Sequence, residues 1–348
     1  MTAAGFRLPA EWEPQDAVLL AWPHEGTDWA DNLSDAERCY ADLVGAIARH
    51  ERVLLMVADA AVGARASARL ERAGARIERV RLVEIEYDDT WTRDSGPLTV
   101  VAGHRFRLVD FQFTGWGGKF SAERDDRLVA GLVSAGCFVE DAHRHRVEFA
   151  LEGGAIESDG EYALLTTQRC LKQRHPQLTL GEIEETLRRE LGCQRVLALK
   201  HGGLEGDDTD AHIDTLARFA SPGHIVYQAC DVPGDRHYTE LNMMQGELHR
   251  LRNSAGAAYT LSALPWPQPI HARDGRRLAA SYANFLIVDG AVLMPGYRDP
   301  ADGIAASVLR RAFPDREVHV VDCRPLIEQN GSLHCVTMQL PRGVLANA

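Results

Sequence analysis

Short apolar runs alternate with amphipathic stretches along nearly the whole chain. A run of consecutive apolar residues predicts a buried strand, whereas apolar positions three and four residues apart predict a helix. The predicted strands are residues 18–22, 52–57, 105–111, 196–199, 225–228, 282–288 and 318–321. The helices predicted after the first one are residues 128–133, 183–191, 241–251 and 304–313.

The first helix of the chain is predicted from two features. Ser34 and Glu37 have the spacing of a capping box, in which a hydroxyl and a carboxylate bond the free N–H groups that begin a helix. Leu43, Val44 and Ile47 then fall on one helical face. The pattern therefore predicts a helix that starts near Ser34 and packs this face against the core.

Two hairpins are predicted from Asp-Gly pairs that each separate two apolar runs. Such a pair supplies the positive φ values that a tight turn requires, and it therefore reverses the chain. The turns and their flanking strands are Asp159-Gly160 between 155–158 and 162–166, and Asp289-Gly290 between 285–288 and 291–294.

Hairpin-then-helix units recur at a spacing of roughly 60–70 residues, which indicates an internal structural repeat. About five such units fit in the chain, and this number favours a closed, propeller-like α/β array. The alternative is a doubly wound sheet. No predicted strand is followed by a G-x-G-x-x-G or Walker phosphate loop, and residues 115–119 (GWGGK) are glycine-rich without either spacing.

The composition narrows the function classes. With 348 residues, 45% of them hydrophobic, the chain can bury a large core and is not a disordered protein. Fifty acidic against 38 basic residues give a net charge of −12, which argues against a general nucleic-acid binder and weakly favours cationic partners. No apolar run has the length of a membrane span, and residues 1–9 lack the pattern of a secretory signal peptide. We therefore expect a cytoplasmic protein without nucleic-acid or membrane partners.

Seven cysteines are spread along the chain without a C-x-x-C pair. A disulfide framework or a structural zinc knuckle is therefore not expected. Cys335 stands between a glycine-containing loop and the apolar run 336–340, where a thiol can be accessible and reactive. The other six are predicted to be small buried apolar side chains: Cys39, Cys137, Cys170, Cys193, Cys230 and Cys323.

Polar residues concentrate in four segments that lie between predicted strands. Loops held by rigid elements on both sides often carry binding and catalytic groups. Taken singly, each segment is also explained as a turn, a helix cap or a solvated loop. The segments are residues 87–97, 151–154, 206–214 and 330–337.

His212 and Asp214 make the third segment harder to explain as a plain loop. Residues 211–219 alternate as a strand, and a spacing of two puts both side chains on one strand face. The pair could share a ligand or bind a metal, but zinc needs three or four ligands and no complementary histidine pair is evident. His143 and His145 have arginine neighbours and are interpreted as surface residues. We therefore expect no metal at the site.

Cys335 is the candidate nucleophile in the fourth segment. A single reactive cysteine, combined with a histidine and acidic residues from distant parts of the chain, makes a plausible catalytic set. His212 and the acidic residues of the other three segments supply those partners.

The ordered series of motifs resembles the agmatine deiminase family. That family belongs to the guanidine-modifying enzymes, together with bacterial-type peptidyl-arginine deiminase and arginine deiminase. The resemblance covers nearly the whole chain. The motifs that carry it are residues 11–14 (EWEP), 21–23 (AWP), 91–97 (WTRDSGP), 115–119 (GWGGK), 151–154 (LEGG), 206–214 (GDDTDAHID), 281–285 (SYANF) and 331–335 (GSLHC).

The resemblance implies a fold, a reaction and a set of roles. The fold is a five-bladed α/β propeller of ββαβ units around a central pocket, formed by residues 1–348 as one domain. The reaction is hydrolysis of a guanidinium to a urea and ammonia through an amidino-cysteine, with no metal or organic cofactor. Cys335 attacks the guanidinium carbon, and His212 acts as the acid and base. Glu152 orients His212, while Asp94 and Asp214 clamp the substrate.

Agmatine, the substrate implied by the resemblance, carries a second cation at its far end. Asp208 is expected to bind that amine, with Trp91 and Trp116 beside the apolar tether, although both tryptophans can equally be packing aromatics. This chain departs from the family in having Ala211 where glycine is frequent, and Ser332 where the family has Gly-Asn before Ile-His-Cys. Neither departure removes a reacting group.

Three alternatives stay open at the level of sequence. The same chemistry could act on free arginine, peptidyl arginine or another small guanidine. The chain could instead be a non-catalytic binder of cationic amines, or a metal-dependent hydrolase built on His212. A homodimer is compatible with each of them.

Overall fold

The computed structural model describes residues 5–346. Residues 1–4, part of the segment 1–9 considered above, and residues 347–348, the end of the predicted domain 1–348, lie outside it. Within the described range, sixteen strands form five small sheets. The strands are β1 (Gln15–Ala21), β2 (Arg52–Val57), β3 (Val80–Glu84), β4 (Leu98–Ala102), β5 (Arg105–Gln112), β6 (Ala142–Ala150), β7 (Ile156–Ser158), β8 (Ala163–Thr167), β9 (Arg195–Leu199), β10 (Ala217–Ser221), β11 (His224–Gln228), β12 (Thr260–Leu264), β13 (Leu286–Val288), β14 (Ala291–Gly296), β15 (Glu317–Asp322) and β16 (Met338–Pro341).

Helices lie between the strands along the described chain, most of them between two strands of the same sheet. They are α1 (Leu33–Ala48), α2 (Ala60–Arg72), α3 (Thr92–Ser95), α4 (Gly115–Gly118), α5 (Leu128–Ser134), α6 (Gln168–Arg174), α7 (Leu180–Leu191), α8 (Tyr238–Leu248) and α9 (Asp302–Ala312). Short 3-10 turns at Gly153–Ala155 and Ile213–Thr215 lie within the polar segments identified above.

Four of the sheets have the same construction. In each, an antiparallel hairpin is followed by one or more helices and by a third strand that pairs in parallel with the second. In the fifth sheet, the last strand β16 pairs antiparallel with the first strand β1, which β2 and β3 follow in parallel. The predicted hairpin-then-helix repeat is therefore present, and the α/β class with several small mixed sheets is confirmed.

The core lies between the sheets and the helices that cover them. α1 buries Leu43, Val44 and Ile47, as its pattern predicts. Strand β14 is buried at every position, which explains why it reads as a continuous apolar run rather than an alternating one. Among the helices of residues 5–346, none combines the length and the apolar character that crossing a membrane requires.

Most predicted elements occur with bounds that differ by at most three residues. The strand predicted at 52–57 matches β2, and the helix predicted at 241–251 is displaced three residues toward the N-terminus as α8. The strand predicted at 282–288 is wrong in its first half, because only Leu286–Val288 pair with a neighbouring strand. The preceding residues form a turn that carries Asn284 toward Cys335.

The predicted capping box of the first helix is also wrong. α1 begins at Leu33, and the residue before it makes no side-chain cap. Glu37 is buried and forms ion pairs with Arg65 and Arg69 instead of turning back toward Ser34. Tertiary pairing of a buried carboxylate therefore overrides the local pattern.

The two Asp-Gly turns differ in length. Around Asp289-Gly290, Val288 pairs directly with Ala291, so the predicted two-residue turn is confirmed, with φ of +80° at Gly290. The other hairpin has a longer turn, because pairing resumes only between Ser158 and Leu164. The Asp159 carboxylate accepts hydrogen bonds from three successive backbone N–H groups in that turn, those of Glu161, Tyr162 and Ala163.

Candidate active site

A cavity of about 320 Å³ is lined by residues from five separated stretches of the chain, at 26–28, 88–94, 116–125, 207–215 and 329–335. Three of the four polar segments contribute to this lining. No lysine or arginine is among the described lining residues. Seven aspartates are, namely Asp28, Asp88, Asp89, Asp94, Asp125, Asp207 and Asp208.

Cys335 lines this cavity, although only 5% of the residue is exposed. Its Sγ lies 3.6 Å from Asp214 Oδ2, and the side-chain amide of Asn284 donates to it at 3.2 Å. Burial, together with the nearby carboxylates of Asp214 and Asp94, raises the pKa of the thiol well above its usual value. The thiol is therefore protonated at neutral pH unless a cation approaches it.

Asp94 is carried by the short helix α3 and faces the same cavity. Its Oδ2 accepts a hydrogen bond of 2.9 Å from the Trp116 indole, and its Oδ1 accepts one of 2.9 Å from the backbone N–H of Gly154. Burial raises the pKa of Asp94 to about 6. The two hydrogen bonds fix the orientation of the carboxylate.

His212 lies behind the cavity wall and is almost completely buried. Its Nδ1 is 3.7 Å from Asp94 Oδ1 and its Nε2 is 3.6 Å from Glu152 Oε2, so neither nitrogen has a hydrogen-bond partner in the described residues. Burial acts to lower the pKa of His212, but Asp94, Cys170 and Glu152 together overcome it and raise the pKa well above its usual value. A cationic imidazole with free N–H groups can donate a proton.

Glu152 is buried between two cationic groups. Its Oε1 accepts a hydrogen bond of 2.6 Å from Arg174 Nε, while its Oε2 faces His212. Burial raises the pKa of Glu152, but His212 and Arg174 outweigh burial and hold the pKa below its usual value. Glu152 is therefore an anion that can hold the imidazolium in place.

Asp214 is completely buried beside the thiol. Its Oδ2 lies 2.8 Å from His334 Nδ1, and His334 Nε2 lies 2.8 Å from Glu11 Oε2. Burial raises the pKa of Asp214, but the His334 contact outweighs it and keeps the pKa below its usual value. The second oxygen, Oδ1, has no hydrogen-bond partner among residues 5–346. A buried carboxylate oxygen without a donor is suited to accept an N–H from a substrate.

Gly154 lets the catalytic candidates approach one another. A Cβ added at this position would lie 2.6 Å from His212 Nδ1, 2.8 Å from Asp94 Oδ1 and 3.2 Å from Asp214 Oδ2. Glycine is required here because of space, and the three groups converge on one point. The second glycine of the Gly-Gly pair in this polar segment is thereby explained.

Four residues in or beside the site have the left-handed backbone conformation that most side chains disfavour: Trp116, Asp210, Ala211 and Asn330. Trp116 has φ of +55°, and this conformation directs its indole N–H to Asp94. Ala211 has φ of +72°, which gives a physical reason for the frequent glycine of the resembled family at this position. Backbone strain of this kind clusters at functional sites.

Asp208 and Trp91 also line the cavity. Asp208 Oδ2 accepts a hydrogen bond of 3.0 Å from the Asn330 side-chain amide, and burial raises the pKa of Asp208. The Trp91 indole donates to Asp89 at 3.2 Å. The Trp91 ring packs closely against Gly331. A Cβ added at Gly331 would lie 2.2 Å from the ring, so only glycine leaves room for it.

The structure places all eight predicted site residues in or directly behind the cavity. Cys335, Asp94, Asp208, Trp91 and Trp116 line it, and the remaining three lie behind that lining. The interpretation of residues 211–219 as a strand is wrong in its first part, where a 3-10 turn precedes β10, whereas residues 217–219 do belong to that strand. That turn still directs His212 and Asp214 to the same point.

Four functional candidates were missed from the sequence: Glu11, Arg174, Asn284 and His334. Three of them stand inside motifs that carry the family resemblance, so a signal was present. Arg174 stands outside every motif, and only its contact with Glu152 reveals it.

Two side-chain groups in the described residues have the geometry to hold a metal ion. One consists of Glu152, Cys170 and His212, and overlaps the catalytic candidates. The other group lies elsewhere and is considered below. The chemistry argued for Cys335 and His212 needs no metal, and the absence of a catalytic metal stays a prediction.

Comparisons with known proteins match relatives of one family over nearly the whole chain. Residues 7–341 match the model of the Porphyromonas-type peptidyl-arginine deiminase family. The agmatine deiminase of Stutzerimonas stutzeri is 36% identical over an alignment of 364 positions, which covers 97% of this chain and 96% of that protein.

Solved structures are similar over nearly their full length. A Porphyromonas gingivalis protein, provisionally named an arginine deiminase, is 44% identical with a TM-score of 0.92, covering 98% of this chain and 100% of that one. The agmatine deiminase of C. jejuni with substrate bound is 32% identical with a TM-score of 0.88, covering 97% of both chains. The chain belongs to the Porphyromonas-type peptidyl-arginine deiminase family.

Proposed function

We propose that this protein hydrolyses agmatine to N-carbamoylputrescine and ammonia through a covalent amidino-cysteine intermediate. The observation that carries the proposal is a thiol, Cys335, at the wall of an acidic cavity and 3.6 Å from Asp214. A substrate with a cation at each end suits a cavity lined by seven aspartates. Agmatine deiminase is also what the S. stutzeri and C. jejuni relatives are named.

Asp94 and Asp214 hold the guanidinium in this proposal. A guanidinium presents N–H donors in a planar fork that carboxylates accept bidentately. Asp214 Oδ1 has no donor of its own among the described residues, and Asp94 is oriented by Trp116 and Gly154. The two carboxylates therefore fix the plane of the substrate beside Cys335 Sγ.

The bound guanidinium activates the thiol. Burial and two carboxylates disfavour the thiolate in the free protein. A substrate cation between the same carboxylates offsets their charge and favours thiolate formation. The thiol proton passes to solvent in the cavity as the thiolate forms. Cys335 then attacks the guanidinium carbon, a C–S bond forms, and the C=N π pair moves onto nitrogen as the central carbon becomes tetrahedral.

His212 transfers the protons. The cationic imidazole, held between Asp94 and Glu152, gives a proton to the departing nitrogen, and ammonia leaves as the C–N bond breaks. The neutral imidazole then takes a proton from water, whose oxygen attacks the amidino carbon. The C–S bond breaks, the ureido product leaves, and Cys335 returns to its starting state.

Asp208 binds the distal amine of agmatine in this proposal. It lines the cavity, as do Trp91 and Trp116, and in this proposal their rings flank the apolar tether. The Lys119 ammonium lies nearby, but it bonds the Asp210 carboxylate and the Asp208 backbone carbonyl. The α-carboxylate of arginine would meet acidic side chains at this end.

Ammonia release with agmatine, free arginine and peptidyl arginine tests the proposal. We expect kcat/KM for agmatine to exceed that for arginine by on the order of a hundredfold or more, because juxtaposed like charges cost several kcal/mol. Asp208→Asn should reduce that preference, whereas Asp274→Asn, on an exposed loop outside the cavity, should not.

Faster turnover of arginine would contradict the substrate assignment and leave the chemistry intact. That alternative is supported by the name of the family whose model matches residues 7–341 and by the 44% identical P. gingivalis structure provisionally named an arginine deiminase. Binding of amines without ammonia from any guanidine would instead favour a non-catalytic protein.

Agmatine affinity is expected to fall as the pH drops below about 6. The pKa of Asp94 is about 6, and only its ionised form attracts the guanidinium. The attraction is complete above this pKa and is lost below it, at up to about tenfold per pH unit. Calorimetric titration of agmatine into a Cys335→Ser variant between about pH 5 and 8 measures this dependence without turnover.

The Asp94→Asn variant is the matched control for this pH series. It should bind agmatine weakly and lose the part of the pH dependence centred near the pKa of Asp94. An affinity that stays constant across the whole pH range would contradict a role for Asp94 in the clamp.

We further propose that the five sheets are the blades of an α/β propeller and that residues 1–348 form one domain. The repeated strand order and the pairing of β16 with β1 support a closed ring around the cavity. An experimental structure with the sheets arranged otherwise would contradict the ring. Two well-separated calorimetric unfolding transitions would contradict the single domain.

A further inference from the structure

Two histidine rings from distant parts of the chain face each other outside the acidic cavity. His50 Nε2 lies 3.1 Å from His319 Nε2, and the same His319 nitrogen lies 3.1 Å from Glu317 Oε2. The ligand atoms of all three side chains lie within 4.8 Å of one another. None of the three residues lines the cavity that holds Cys335.

The fold builds this cluster from two elements. His50 follows the C-terminal end of α1, where its backbone N–H donates to the Ile47 carbonyl. Glu317 and His319 are two residues apart on β15, an edge strand of its sheet, so their side chains share one strand face. α1 packs against β15, which holds the two elements in contact.

We propose that His50, Glu317 and His319 form a surface site for a divalent transition metal of the zinc type. In tetrahedral zinc sites, N and O ligands lie about 2.0–2.2 Å from the ion, which places neighbouring ligand atoms roughly 3.3 Å apart. The two separations of 3.1 Å are close to that value. Two imidazoles and one carboxylate leave the fourth position for water.

A hydrogen bond between the rings explains only part of this geometry. One N–H shared by His50 and His319 accounts for their separation, but the Glu317 carboxylate approaches the same His319 nitrogen. A ring nitrogen has a single lone pair or a single hydrogen, so it cannot serve both partners well. A metal ion placed between the three atoms accepts a lone pair from each of them.

Some charges around the cluster favour a bound cation, and others oppose it. The C-terminal end of α1 has a partial negative charge, which favours a cation next to His50. Arg49 and Arg76 are close enough to oppose it, although the Arg76 guanidinium turns to the Arg49 carbonyl. Three ligands, of which Glu317 is largely exposed, are therefore expected to give a site of moderate affinity that ties α1 to β15.

Titration of the full chain with Co²⁺ tests the proposal, because cobalt reports its ligands in its absorption spectrum. We expect one equivalent to bind with the visible bands of a tetrahedral nitrogen and oxygen site and without a thiolate charge-transfer band. His50→Ala and His319→Ala should abolish this binding, and Glu317→Gln should weaken it by at least about tenfold. His104→Ala, at an exposed histidine, is the matched control.

Zinc should displace cobalt and raise the melting temperature by about 3 °C at a hundredfold excess over its Kd. This rise should be absent in His50→Ala and His319→Ala. Both variants should keep their agmatine turnover and their metal-free melting temperature, which separates loss of the site from loss of the fold.

Unchanged cobalt binding in the two histidine variants would overturn the proposal. A thiolate band in the unsubstituted protein, retained in those variants, would place the metal at Glu152, Cys170 and His212 instead. No visible cobalt spectrum and no zinc-dependent shift would show that the cluster is only a pair of hydrogen-bonded rings.

Discussion

Replacement of Cys335 by serine is expected to lower kcat for agmatine by at least about 10⁴-fold while agmatine still binds. A serine hydroxyl has a far higher pKa than a thiol, and Asp214 at 3.6 Å from the sulfur disfavours the alkoxide further. The clamp itself does not depend on sulfur, because Asp94 is oriented by Trp116 and Gly154. The fall in kcat is therefore a loss in the chemical step and not in substrate binding.

Mass spectrometry of protein quenched during turnover locates the covalent intermediate. The unsubstituted protein should carry an amidino group on the peptide that contains Cys335, and the serine variant should carry none. Cys193→Ser, at a half-buried cysteine outside the cavity, is the matched control and should keep both adduct and turnover. An adduct on another cysteine, or undiminished turnover by Cys335→Ser, would show that Cys335 is not the nucleophile.

The reacting groups could be selected from the sequence because they stand in short polar segments between apolar runs. Cys335, His212 and Glu152 come from three such segments, and the fold brings all three to the region of one cavity. Their role in catalysis rests on the resemblance and on this convergence. Spacing alone gave the wrong local structure for His212, which precedes a 3-10 turn rather than lying in a strand.

Local patterns failed where a buried partner competes with them. Glu37 has the spacing of a cap residue, yet its carboxylate pairs with Arg65 and Arg69 from the next helix. The apolar run at 282–288 has the composition of a strand, yet its first half turns so that Asn284 reaches Cys335. In both cases the deciding contact comes from a part of the chain that no short window includes.

The contacts behind the cavity could not be predicted for the same reason. His334 contacts Asp214 and also Glu11, which lies near the other end of the chain. Glu11 in turn accepts a hydrogen bond of 2.7 Å from Arg218, the one charged residue of strand β10. A lone arginine in such a strand indicates a buried ion pair, but it does not identify the partner.

Replacement of Arg218 by methionine is expected to destabilise the protein by about 3–5 kcal/mol. Arg218 is completely buried, and its guanidinium bonds Glu157 at 2.6 Å, Glu11 at 2.7 Å and the Phe285 carbonyl at 2.6 Å. Methionine fills similar volume but leaves two buried carboxylates without their shared cation. For a chain of this length the melting temperature should fall by roughly 4–7 °C.

The pH dependence of this loss distinguishes the charge from the packing. The pKa of Glu157 is already about 7 with Arg218 present, and without the cation it should rise further. A carboxyl whose folded pKa exceeds its unfolded pKa destabilises the fold as the pH rises, so the deficit should shrink on acidification. Thermal unfolding of the unsubstituted protein and of Arg218→Met, at pH values above and below the pKa of Glu157, measures how the difference in stability changes.

Arg236→Met is the matched control, because Arg236 forms an exposed ion pair of 3.0 Å with Glu205. Its effect should stay below about 1 kcal/mol at every pH. Glu157→Gln added to Arg218→Met should recover part of the lost stability, since it removes the charge of one of the two carboxylates that lose Arg218, while Glu11 keeps its contact with His334. The loss of stability in Arg218→Met could instead be independent of pH and unaffected by Glu157→Gln. That result would mean that Arg218 acts through packing, and that the ionised carboxylates of Glu11 and Glu157 do not depend on its charge.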